Sequence, residues 1–227
     1  MTLLGWLRLA GTGIALVLLA MSAWILGAEL ARPDLDFLPA PSLAAGTAAL
    51  SDRATTAAAI GRIRGALWVD AAITRATALR AALETDGPPA PAAMIEETRE
   101  LAARAALHAP HEARAWLLMA AADAEREAFR QRVAAPLKMS YLTGPNEAAL
   151  MPLRLIVATR SLAITDEELQ ILAEADVRAI LTRKPELKPA ITAAYRGASA
   201  DGRRFLRSAV ERVDPRLADS LLRSGQS

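Results

Sequence analysis

The chain of 227 residues contains no cysteine. A disulfide, a thiolate nucleophile, a thiolate-held metal and a lipid-modified cysteine anchor are therefore all excluded. Histidine is nearly absent as well: His108 and His111, in the stretch "HAPHE", are the only two. Pro110 separates them at a helix end, and the His-Glu-x-x-His order of zinc proteases is missing, so a solvated turn is the expectation, with no metal. Aromatic residues make up 4% of the chain, and no window alternates β-branched and polar residues as a half-buried strand does. Charge of one sign is not gathered into one block. The formal net charge is +2, with arginines and acidic residues interspersed, which argues against a nucleic-acid partner.

What is present is alanine and leucine. Hydrophobic residues reach 53%, enough to fill a core. An excess of Ala, which costs no side-chain entropy in a helix, and of Leu, which packs between helices, predicts an all-α fold. Residues 9–28, "LAGTGIALVLLAMSAWILGA", carry no charge; twenty residues at about 1.5 Å each make a helix roughly as long as a bilayer core is thick. Arg8 and the amino terminus precede this run, while Glu29, Arg32, Asp34 and Asp36 follow it, so the positive-inside bias predicts a cytoplasmic N-terminus and an exported main domain. The expected location is a bacterial inner membrane, with the domain in the periplasm. A cleaved export signal is the rival reading, weakened by the length of the run and by Leu-Gly-Ala at the candidate site.

Residues 1–28 thus read as a transmembrane anchor, 29–50, which contain three prolines, as a tether, and 51–227 as the exported domain. Within that domain helices are expected over 52–62, 66–84 and 92–108, then from Glu112 and on to Leu142. Thr165 with Glu168 forms a capping-box pattern before a stripe of Leu169, Leu172, Val177 and Ile180. Ser199 and Asp214-Pro215 mark further starts, and Gly197 a stop. In "LKMSYLTGPNEAAL" the turn lacks the several glycines of a phosphate loop. Gly144 is expected to end a helix in a left-handed conformation, with Pro145 blocking continuation and Asn146 capping the next helix.

A repeat runs through the middle of the chain. "ARAALHAP" ends at Pro110 and "KMSYLTGP" at Pro145, each with a small residue, Ala105 or Ser140, five positions before the proline. Between them Trp116, Met119 and Ala120, then Leu137, Ser140 and Pro145 after one inserted residue, follow the spacing of a tetratricopeptide repeat. Residues 92–146 therefore resemble the tetratricopeptide-repeat family. Asp123 stands where that pattern has Tyr and Val133 where it has a small Ala. "LKMSYLTGPNEAALMPLRL" also looks like repeat proteins of bacterial surface-polysaccharide systems. The resemblance implies a short helical solenoid or bundle presenting a concave groove to a partner protein, without catalysis or cofactor.

The groove residues expected on this basis are Trp116, Asp123, Tyr141 and Arg154. Tyr141 is expected to pack in the core with its hydroxyl at the surface. Partners are expected among envelope or inner-membrane proteins, with residues 9–28 in the bilayer. The carboxylates of 166–168, Glu174 and Asp176 match helix starts and solvated faces better than a paired acid and base. The basic carboxyl-terminal helices, with Arg203, Arg204 and Arg207, offer contact to an anionic glycan or lipid headgroup. A glycan-binding module or glycan-acting enzyme is the competing class.

Overall fold

The computed structural model describes residues 3–33, 47–84 and 92–224. Among these the regular structure is helical throughout: α1 Leu3–Ala31, α2 Thr47–Ile60, α3 Gly65–Glu84, α4 Ala92–His108, α5 Ala113–Ala124, α6 Ala134–Thr143, α7 Met151–Arg160, α8 Glu167–Arg183, α9 Lys188–Gly197, α10 Ala200–Glu211 and α11 Pro215–Ser224. Short 3-10 turns precede α6, α8 and α9. Of the tether expected over 29–50, residues 34–46 lie outside the described residues, Ala31 still belongs to α1, and α2 already begins at Thr47.

From α1 to α6 each helix packs chiefly on its neighbour in the chain, and α3 meets α5, α5 meets α7 and α7 meets α9. Odd-numbered helices α3 to α9 thus form one row. Two cores flank α5. One side is built largely of alanine, including Ala54, Ala57, Ala72, Ala102 and Ala105, which lets the helix backbones approach closely. The other is built of larger side chains, among them Leu137, Leu155, Ile164, Leu169, Ile180 and Ile191. Leu118 of α5 enters the first core and Leu117 the second, so this one helix joins the two halves.

Helix boundaries follow local chemistry, with three corrections. Ser199 accepts from the Gly202 amide at 3.1 Å and Asp214 from the Leu217 amide at 3.2 Å, with Pro215 as the first helical residue. At α8, however, the cap is Asp166, whose carboxylate accepts from the Leu169 amide at 3.0 Å. Thr165 instead closes the preceding 3-10 turn. A carboxylate serves better here because it also meets Lys138 Nζ at 2.8 Å and the positive end of the helix. Gly144 has φ −146° and ψ 62°, outside the left-handed region. Its requirement is space: a Cβ would sit 2.7 Å from that of Ala113. Asn146 caps no helix, since α7 begins only at Met151, after Leu150.

The segment Gly5–Ala31, 27 residues containing an 18-residue stretch of mean hydropathy 2.1, is long and apolar enough to cross a membrane. Its last turns do not hang free. Ala28 is fully buried against the alanines of α2, and Trp24 Nε1 donates to the Ile60 carbonyl at 2.6 Å. Arg64 pairs with Glu29, and Arg32 Nε donates to Asp70 Oδ2 at 2.6 Å.

Candidate partner-binding groove

The row of odd-numbered helices encloses a groove of about 680 Å³. Its walls come from residues repeating at intervals of three and four, which is how a helix presents one face. Leu118, Ala121, Ala122 and Glu125 come from α5, and Pro152, Leu153, Ile156 and Arg160 from α7. Ala76, Leu79 and Arg80 of α3 form one edge, and Ala190 and Ala193 of α9 the other. Thr98 and Ala149 complete the lining. The floor is mostly apolar, and its alanines leave room at each helix face. Charge enters the lining at Arg80 on the α3 edge and where Arg160 Nη1 lies 3.2 Å from Glu125 Oε1.

None of Trp116, Asp123, Tyr141 and Arg154 is in this lining. Trp116 packs against the alanine-rich core, its Nε1 donating to the Pro110 carbonyl at 2.8 Å. Asp123 is buried and accepts from Arg99 Nε at 2.6 Å, which ties α5 to α4. Tyr141 and Arg154 do come together, but inside the larger core. Arg154 is fully buried. Its Nε donates to Ser140 Oγ at 3.0 Å and its Nη2 to the carbonyls of Ser140 and, at 2.9 Å, Gly144. A cation is thereby placed on the carbonyls that end α6, where the helix dipole is negative. The guanidinium carbon stands 4.7 Å from the Tyr141 ring centroid, a cation–π contact.

Asp176 of α8 completes this cluster. Burial pushes its carboxyl up to about 7, against the opposing pull of Arg154 and Tyr141. Burial also raises the Tyr141 phenol well above its usual range and lowers the Arg154 guanidinium. Tyr141 Oη, Arg154 Nη1 and Asp176 Oδ2 are all buried without a hydrogen-bond partner in the protein. The expectation that the Tyr141 hydroxyl reaches the surface is therefore corrected: α8 covers it. Asp176 likewise leaves the solvated face assigned to it and turns inward.

His108 stacks on Trp68 with ring centroids 6.3 Å apart and planes at 14°. Among the described residues no group of three or more His, Asp or Glu is arranged to hold a metal. On α10, Arg203 Nε donates to the Ala198 carbonyl at 3.1 Å and Arg204 pairs with Asp201, while Arg207 is exposed.

Compared with known proteins, the chain matches no family model, no curated protein and no solved structure.

Proposed function

We propose that the protein is a non-catalytic, membrane-anchored adaptor that holds a segment of another envelope protein in the groove between α3, α5, α7 and α9. The carrying observation is that the lining is drawn mainly from alternate helices at regular spacing and is mostly apolar, with Arg80, Thr98, Glu125 and Arg160 as its polar members. Tetratricopeptide-like repeats bind their partners on the corresponding face, and the proline rhythm of residues 92–146 supports that architecture. A wide alanine floor suits an apolar helix or extended segment, whose side chains supply the bulk that the floor lacks. The reading places α1 in a bacterial inner membrane and the groove on the exported side, in keeping with the charges that flank α1.

Ala149 and Ala193 are both exposed on the groove, so the A149R/A193R double variant fills it without disturbing the core. Full-length wild type, purified in mild detergent, should retain a defined set of membrane proteins that the double variant loses. Retention of the same set by both forms would exclude the groove as the binding site.

A further inference from the structure

Six large hydrophobic residues outside α1 are exposed among the described residues: Ile63, Leu107, Leu142, Leu162, Ile171 and Val213. The first three share one end of the molecule. Ile63, 69% exposed, is in the connection between α2 and α3; Leu107, 77%, is in the last turn of α4; and Leu142, 61%, is in the last turn of α6. Glycine contacts join these places side by side. A Cβ on Gly65, at the start of α3, would meet Ala109 and the His108 backbone just beyond Leu107. One on Gly144, just beyond Leu142, would meet Ala113 at the start of α5.

The apolar helix leaves from this same end. α1 runs antiparallel to α2, with Trp24 at Ile60 and Ala28 against the Gly61 position. Residues before Trp24 consequently project past the connection that carries Ile63, and none of the 18-residue apolar window is buried in the domain. Around the three apolar tips stand groups suited to a headgroup layer. Arg62 is exposed and forms no ion pair among the described residues. Arg104 lies over Trp68, its guanidinium carbon 5.5 Å from the ring centroid, and Trp68 in turn donates to the Arg62 carbonyl at 2.9 Å.

We infer that this end of the domain is a membrane-resting surface: Ile63, Leu107 and Leu142 dip into the interface of the bilayer that α1 crosses, and Arg62 and Arg104 meet its phosphates. The inference rests on the reading of α1 as a span. Its physical basis is that isolated apolar tips at the ends of the alternate helices α2, α4 and α6 gain little in water, whereas at a bilayer interface each loses apolar surface to the acyl boundary. The docked end of α1 keeps the domain close enough for all three to reach.

Because the chain lacks cysteine, single cysteines can be placed at Ile63, Leu107, Leu142, Leu162 and Val17 and labelled with an environment-sensitive fluorophore. Each labelled full-length protein would be reconstituted into vesicles of phosphatidylethanolamine and phosphatidylglycerol carrying nitroxides at headgroup or mid-acyl depth. Labels at 63, 107 and 142 should be quenched more by the headgroup nitroxide, that at 17 more by the mid-acyl one, and that at 162 by neither. Quenching at 17 with none at 63, 107 and 142 overturns the resting surface and leaves the span intact. No quenching at 17 removes the span and the inference with it. Equal quenching at 162 and the three tips would mean unoriented adsorption and would also overturn it.

Discussion

Asp176 is a carboxylate in an environment that its type avoids, 2% exposed. Burial raises its folded pKa to about 7, against 3.8 as the ordinary value. Between roughly pH 4 and 7 the folded protein therefore holds a proton that the unfolded chain has released. The corresponding stabilisation is fully present below the unfolded pKa and is lost as pH rises through the folded one. Wild type compared with Asp176→Asn should lose roughly 2–3 kcal/mol of relative stability between pH 5 and pH 8, measured by urea unfolding at both pH values. Taking the difference between the two proteins cancels the opposite contributions of Asp166, Asp214 and Glu112, whose carboxyls are held low by their partners. The inward position of Asp176 was hidden in the sequence because Ala175 and Arg178 beside it are exposed, and only its place one residue before the buried Val177 hinted otherwise. Arg154 left a clearer trace: one cation in the apolar run "MPLRLIV" is costly unless every donor has an acceptor nearby.

Elements meet most tightly where α10 docks on the end of α7. The Ser199 amide and hydroxyl both donate to the Thr159 carbonyl at 2.9 Å, and a Cβ on Gly202 would collide with that same carbonyl oxygen. Gly202→Ala gains helix propensity of about 1 kcal/mol but forces two backbones apart, at a cost of about 1–3 kcal/mol or more. A net fall in thermal midpoint is expected, with the change confined to unfolding and absent from the helical content of the native state by circular dichroism. At this scale much of the structure was legible. α4 occupies the expected 92–108, and the serine and aspartate caps of α10 and α11 stand where the sequence places them, because capping is decided by a few neighbouring residues. The groove was not legible. α5 is apolar on both of its core-facing sides, so no single stripe distinguishes the face bearing Leu118, Ala121 and Ala122. The residues expected to bind a partner, Trp116, Asp123, Tyr141 and Arg154, were chosen for size or polarity, whereas alanine is the commonest residue in this lining, six of fifteen.

At the scale of the whole molecule, the junction of α1 with the domain decides how the parts are oriented. Arg32 holds the buried Asp70 carboxylate, whose burial raises its pKa while the Arg32 guanidinium opposes that shift. Together with the Arg64–Glu29 pair this fixes the exit direction of α1. Spin labels on cysteines replacing Leu18 and Ile171, both exposed, should give one narrow distance distribution in the wild type. In the Arg32→Ala/Arg64→Ala background the distribution should broaden, and an unchanged width would assign the rigidity to Ala28 and the Trp24 hydrogen bond instead. Asp70 left unpaired should also lower domain stability by about 1–3 kcal/mol.

A docked rather than dangling α1 also has a consequence for encounter rates. With α1 in a bilayer, the groove sits at one height and one tilt, so it samples a thin slab of space and not the hemisphere a slack linker would sweep. For a partner confined to the same membrane, that restriction raises the effective concentration of groove for ligand wherever the heights agree, and reduces it towards zero where they do not. Selectivity among partners would then depend on how far above the lipid each one carries its binding segment.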